Sequence, residues 1–547
     1  MKNPRLLGAG LGLTLPVLLV AAQIPTLPPS PPSPPDLRTV AEKSDFHATS
    51  RHAEVVDLLD AIAAQHPALA RRASMGQTEE ARDIPLLIIA DPPVATPVEA
   101  KAARAKDGRL VVLAIGNIHA GEVCGKEALP MLARDLLATP NSLASPDLLK
   151  KIIFIIAPIY NADGNERFAK DNRPGQIGPD EMGIRENHNG LDLNRDFIKV
   201  ESKEAKSLVS ALVSWDPEVF IDCHTTNGSY HRFLITYAGP KNPAGDPAII
   251  AWTRNHFFPL VSAALKANHH IDSFWYGSFE GAFTDAPRGH TKWETFPAEG
   301  RYGTTYVGLR NRLSVLSEAY SYAPFKDRVL GTYHFVLELL RQSAANAETI
   351  KQLCQDADTR ATNLGAQGAD DIAIRSKATP WPDDVTILGF EERITDGKVE
   401  KGGPVDYRVK LWDNFEPTLS VKRPFAYAMP PECGLAAAKL REHGIIVRQL
   451  SQPINATAET YTIDKAQPAS REYQGHVLVH VDVTPARASI TLGPAWFLVP
   501  MDQPLGSLAA YLLEPASEDG LTTWNYFDQW LKVGEAFPVV RVVEPLK

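Results

Sequence analysis

Cysteine is scarce in this chain. Four occur in 547 residues, Cys124, Cys223, Cys354 and Cys433, and no two stand in a C-x-x-C spacing. So small a number excludes a disulfide framework as the basis of the fold, and the spacing excludes a cysteine-built zinc knuckle. Positive charge is in deficit too. Fifty-six Lys and Arg face 65 Asp and Glu, a net charge of −9, so no basic excess exists to attract nucleic acid, and none is expected as a partner. Past residue 22 no apolar stretch reaches the roughly 20 residues that a bilayer span requires. The remaining composition, 44% hydrophobic and 22% charged, is that of a globular chain, and the length predicts about two to four domains.

The N-terminus carries the first positive signal. Lys2 and Arg5 precede an uncharged apolar run over residues 6–20, and Ala21-Ala22 follow ahead of Gln23. This is the layout of a secretory signal peptide over residues 1–22. Export to the periplasm or the medium is expected, with no stable membrane insertion after cleavage. Residues 23–45 read as a proline-rich linker, with seven prolines between positions 25 and 35; such a segment is extended rather than folded.

Apolar runs of strand length follow at residues 84–90, 110–115, 152–157, 219–221, 233–237 and 313–316. Helical patterns occupy 53–65, 122–137, 202–214, 247–267 and 324–342. Continuous apolar strands between helices predict an α/β fold, a mixed, mostly parallel sheet sandwiched by helices, over residues 46–350. From about 370 to 547 short alternating segments, at 385–390, 407–410, 475–483 and 488–492, predict a second, mainly-β domain, interrupted by a helix over 434–443. Residues 501–530, with Trp524 and Trp530, read as packing that could dock this part onto the first.

The chemistry gathers at strand ends. His119 and Glu122 stand three apart in a glycine-flanked turn between a strand and a helix, so an imidazole and a carboxylate can face one point. His224 lies just past another apolar strand, at the edge of an α/β sheet where ligands bind. Between them come Asn161-Ala162-Asp163-Gly164 and Gly190-Leu191-Asp192-Leu193-Asn194-Arg195-Asp196-Phe197, and Glu318 ends the strand that begins at Leu313.

In these motifs the chain resembles the zinc carboxypeptidase family, the metallopeptidases similar to carboxypeptidases A and B, and within it an exported, bacterial type with an accessory C-terminal domain. Family members carry H-x-x-E, N-P-D-G, G-x-D-x-N-R-N-F, a His after a strand and a Glu ending a late strand. Here the counterparts run in that order over residues 80–345, with N-A-D-G and N-R-D-F as departures; the second places Asp196 beside Arg195. The resemblance implies one Zn²⁺ per chain, bound by His119, Glu122 and His224, with Asp192 accepting from the ring N–H of His119. It implies that Asn194 and Arg195 hold a substrate carboxylate, that Arg185 stabilises an oxyanion and that Glu318 is the general base. The implied substrate is a peptide with a free C-terminal carboxylate.

Other reactions fit the same residues: deacylation of N-acyl amino acids, as in the related succinylglutamate desuccinylase and aspartoacylase, or hydrolysis of peptidoglycan peptides. A non-catalytic binding module is the alternative from another class. Family members also place a mobile Tyr before the base; Tyr302 and Tyr306 both qualify, and Tyr306 is slightly preferred. Many digestive members carry an Arg where this chain has Gly121. Cys124 and Cys223 are expected to be small buried side chains, with a disulfide between them left open, and His269-His270 reads as a solvated helix end.

Overall fold

Strands Leu110–Gly116 and Ile152–Ala157 are apolar at nearly every position and buried at every position, because both faces of their sheet are covered. In the computed structural model, which describes Met1 and residues 36–138, 147–282, 289–395 and 398–546, they lie at the centre of an eight-stranded sheet. Its strands are β1 Ala70–Gln77, β2 Asp83–Ile89, β3 Leu110–Gly116, β4 Ile152–Ala157, β5 Val219–Thr226, β6 Ile235–Ala238, β7 Ser273–Trp275 and β8 Leu313–Tyr320, in the order β1-β2-β4-β3-β5-β8-β6-β7. The pairs β4/β3, β3/β5, β5/β8 and β6/β7 are parallel; β1/β2, β2/β4 and β8/β6 are antiparallel. The fold is therefore α/β with a mixed, mostly parallel sheet.

The signal-peptide reading and the proline run lie outside the described residues, apart from Met1. Met1–Asp36 is one unit of the chain and Leu37–Lys547 another; the sheet belongs wholly to the second. Among the described residues no helix is long and apolar enough to cross a membrane.

Two apolar layers flank the sheet. One gathers Val112, Ala114, Phe154 and Ile221 with the helices Cys124–Ala138 and Phe325–Ala345. The other gathers Val111, Leu113, Ile155 and Phe220 with the helix Lys203–Trp215. That helix starts sharply because the Ser202 hydroxyl accepts from the Ala205 N–H, satisfying a donor the helix leaves open. The span read as one helix over 247–267 is Pro247–Trp252 and Phe258–His269 joined by a π-helical turn, Thr253–Phe257.

The β-rich part is not packed as a separate layer. Its six-stranded sheet contains the Ala426–Met429, Ile454–Pro468, Val479–Leu492, Phe497–Pro500 and Val540–Val542 strands. Tyr427, Leu512 and Trp524 share a core with Phe197, Ile198 and Tyr306. Lys292–Glu294, from the first part of the chain, pairs in parallel with Lys410, Leu411 and Trp412 from the second. Residues 501–530 are tied to the first part of the chain by a buried ion pair between Asp519 and Arg301 at 2.9 Å, and Trp524 donates to Asp519 at 2.8 Å.

Candidate active site

Strand β3 ends at Gly116, and the chain turns at Asn117 with φ +66°. Asparagine tolerates this left-handed region, and its side chain braces the turn by donating to the Ala120 carbonyl at 3.0 Å. The turn delivers His119 and Glu122 just ahead of the helix Cys124–Ala138. Gly125, in that helix's first turn, lets it sit against β5: a Cβ there would lie 2.5 Å from Cys223 Cβ. His224 follows Cys223 on β5, so the three side chains converge.

The two histidines are aimed alike. His119 Nδ1 is 3.0 Å from Glu122 Oε1, and His224 Nδ1 is 3.0 Å from Glu122 Oε2. Each ring turns its Nε2 to a carboxylate: His119 to Asp192 Oδ1 at 2.9 Å, His224 to Asp222 Oδ2 at 2.9 Å. An Nε2–H given to a carboxylate leaves Nδ1 as a lone pair. Arg185 agrees with that tautomer at His119, since its Nη1, a donor only, lies 3.2 Å from His119 Nδ1. An imidazole lone pair facing a buried carboxylate, as at His119, repels it unless a cation lies between them. One donor atom from each of the three residues comes within 4.8 Å of the others, and all three are buried. Two nitrogens and a carboxylate oxygen with a position left open are the donor set of catalytic zinc. The residues fit the ion.

Asp192 is shared. Its Oδ1 takes the His119 ring and the Asn194 N–H, and its Oδ2 takes Arg185 Nε and Nη2 at 3.0 and 2.7 Å. Burial opposes its charge, but His119, Arg195 and Arg185 hold its carboxyl well below the usual range. Around this centre lies a cavity of about 390 Å³, lined among others by Arg173, Arg185, Asn194, Arg195, Tyr276 and Glu318. Glu318 reaches it from β8. Burial first, and then the neighbouring Glu122 carboxylate, push the Glu318 carboxyl up to about 8, against the pull of His224 and Arg173. Its Oε2 is buried with no hydrogen-bond partner among the described residues.

Residues 55–280 match the family model described as zinc carboxypeptidase. Carboxypeptidase 2 of Trichophyton rubrum is 21% identical over 487 residues, covering 85% of this chain and 81% of that protein. Carboxypeptidase D of Mus musculus is 33% identical over 170 residues, 28% of this chain and 12% of that protein. Among solved structures, a metallo-carboxypeptidase from Burkholderia cenocepacia is similar at 17% identity and a TM-score of 0.39, over 54% of this chain and 69% of that one. One from Pseudomonas aeruginosa, solved with (2-guanidinoethylmercapto)succinic acid, is similar at 18% and 0.38, over 55% and 68%.

The residues named from the motifs meet at one place: His119, Glu122, His224, Arg185, Asn194, Arg195 and Glu318 all line the cavity, and Asp192 backs it. The tyrosine preference is corrected. Tyr302 lines the cavity, whereas Tyr306 is fully buried in the core, its hydroxyl 2.8 Å from His443 Nδ1. Tyr302 caps the helix Gly303–Leu309 and Tyr306 is one turn inside it, which directs the two rings differently. Asp196 does not face Arg195; it is buried against Lys199 at 3.0 Å and accepts from the Glu201 and Ser202 N–H groups. His269 is not solvated either: it bonds Glu338 at 2.9 Å and stacks on His334. All four cysteines are buried and free.

Three site residues escaped the motifs. Asp222 had a signal, since two residues before His224 on a strand is the same face. Arg173 had none: its Nη2 reaches Glu122 Oε1 and the Thr225 carbonyl, both at 3.0 Å. It occupies the space Gly121 leaves, for a Cβ at 121 would be 2.6 Å from Arg173 Cγ. Tyr276 joins the wall from beyond β7.

Proposed function

We propose that this zinc metallopeptidase is a carboxypeptidase that hydrolyses the C-terminal peptide bond of peptides. The observation that carries the reading is the convergence of the His119, Glu122 and His224 donors with Glu318, Arg185 and Arg195 in one cavity. A zinc ion on those ligands would supply Lewis-acid polarisation and lower the pKa of water toward about 7.

The chain's own groups account for the rest. Glu318, buried and without a partner at Oε2 among the described residues, takes a proton from the attacking water and returns it to the leaving amine. Arg185, clamped by Asp192, presents positive charge where the carbonyl oxygen becomes negative. Asn194 and Arg195 bind the terminal carboxylate, for which a guanidinium can offer paired donors. We also propose that the chain is exported, on the strength of Lys2, Arg5 and the apolar run after them. Determining the N-terminal residue of the protein recovered from its host tests this; an intact Met1 there argues against cleavage.

A panel of N-blocked dipeptides, N-acetylated amino acids and muropeptides tests the activity. Release of free C-terminal amino acids from the dipeptides is expected. Turnover confined to the acetylated amino acids would replace the carboxypeptidase reading with a deacylase.

A further inference from the structure

The strands Ile454–Pro468 and Val479–Leu492 pair antiparallel from Ile454↔Leu492 to Pro468↔Val479, a two-stranded ribbon about 45 Å long. Its tip closes in a tight turn: the Tyr473 N–H donates to the His476 carbonyl at 2.7 Å, and the His476 N–H to the Tyr473 carbonyl at 3.1 Å. Gln474 and Gly475, the two central residues, have φ of +54° and +81°, the left-handed pair that matches the twist of a hairpin.

The ribbon is rooted in the six-stranded sheet, where Ala458 and Glu459 also pair with Val542 and Arg541, and its tip reaches away from that root. The tip rests at the edge of the active site. Arg195 Nε donates to the Tyr473 hydroxyl at 3.0 Å, and the Asp192 N–H donates to Gln474 Oε1 at 2.7 Å. His476 Nε2 lies 3.0 Å from both oxygens of Glu201. Three contacts from the tip therefore fall on residues 192–201, the segment that carries the cavity's Asn194 and Arg195. Without the tip, Arg195 would keep the Asn194 carbonyl on Nη1, at 2.8 Å, a long ion pair from the same nitrogen to Asp192 Oδ2, at 3.8 Å, and the Tyr302 ring beneath its plane, 4.4 Å away. A long guanidinium side chain held at one nitrogen and one face has rotational freedom left. The Tyr473 hydroxyl removes it and leaves Nη2 without a partner among the described residues, beside the cavity.

We infer that the ribbon tip is a working part of the active site, with Tyr473 as a positioning residue that fixes the Arg195 guanidinium for a substrate carboxylate and Gln474 fixing the backbone at Asp192. This rests on the carboxypeptidase reading, in which Arg195 receives that carboxylate. Tyr473 does not itself line the cavity, so it acts through Arg195.

The experiment compares the full chain with its Tyr473→Phe, Arg195→Ala and double variants on an N-blocked dipeptide, with thermal unfolding of each. Tyr473→Phe keeps the ring and removes only the hydroxyl. Its KM is expected to rise about three- to ten-fold, the scale of one ordinary net hydrogen bond, with kcat unchanged within about two-fold. In the Arg195→Ala background the same change is expected to add nothing. An unchanged KM for Tyr473→Phe beside a raised KM for Arg195→Ala overturns the positioning role and leaves the carboxypeptidase reading standing. An equal loss in both backgrounds overturns it as well, since the tyrosine then acts on general stability. If Arg195→Ala leaves KM unchanged, or the parent does not cleave the dipeptide, the carboxylate reading fails and takes this inference with it.

Discussion

Glu318 and His224 are register partners on adjacent parallel strands, β8 and β5. Matched positions in a parallel pair point their side chains to the same face. The proposed base and a proposed metal ligand are thus fixed relative to each other by backbone hydrogen bonds rather than by a loop, and β5 and β8 are both buried throughout.

Glu318 touches the cavity but is not among the three converging donors. Glu318→Gln is therefore expected to lower kcat by about 10²- to 10⁴-fold, the contribution of a general acid–base group, with bound zinc unchanged. Paired kcat and metal analyses check this. Wild-type turnover in the variant would mean that another group moves the proton.

The ligand histidines depend on their carboxylate partners. Asp222→Asn keeps the shape but weakens the acceptor at His224 Nε2, and it is expected to weaken zinc binding by about 10- to 100-fold. Competition with a chelator of known affinity measures this. Dialysis of the parent against that chelator is expected to abolish turnover and lower Tm, and zinc to restore both.

The two tyrosines should separate cleanly. Tyr306→Phe deprives His443 Nδ1 of its partner in the core and removes an acceptor of Arg310 Nη1. A loss of about 1–3 kcal/mol in stability is expected, with kcat/KM unchanged, as read by denaturant titration and assay. Tyr302→Ala takes the ring from beneath Arg195 and is expected to raise KM about two- to five-fold with a smaller effect on Tm.

The ribbon's anchor gives a pH dependence. Burial pushes the Glu201 carboxyl up, but His476 and Lys199 outweigh it and hold the group at about 2, below its ordinary 4.5. That contribution to stability is present above pH 4.5 and is lost as pH falls toward 2. The Glu201 hydrogen bond, with a smaller one from Asn525, raises His476 above its ordinary 6.5 against burial and Lys199. Its contribution is complete below pH 6.5 and lost as pH rises through the folded value. The stability difference between the parent and His476→Ala is therefore expected to be largest between pH 4.5 and 6.5, measured as denaturation midpoints across the pH range. A difference that does not vary with pH would exclude the ion pair as its source.

Much of the sheet is legible in the chain because doubly covered strands are uninterrupted apolar runs. Legibility ends where that rule does not apply. Strand β1, Ala70–Gln77, is an edge strand with polar, half-exposed positions, and no apolar run marks it. Strands β5 and β8 run on past the apolar stretch through His224, Thr225 and Thr226, and through Ser317 and Glu318, because pairing continues where polar side chains build the site. His119 and Glu122 are legible since their spacing is local. Arg173, Tyr473 and Gln474 are not: only the folded chain brings them to Glu122, Arg195 and Asp192, and no local pattern marks them.

The ribbon contacts join residues 275 to 282 positions apart, Glu201 with His476 and Asp192 with Gln474. A chain growing from its N-terminus holds every proposed zinc ligand and Glu318 long before Tyr473 exists. Arg195 consequently acquires its last restraint late in synthesis, and closing so long a loop is slow compared with local folding. The metal centre and the grip on Arg195 mature at different times in the life of each molecule.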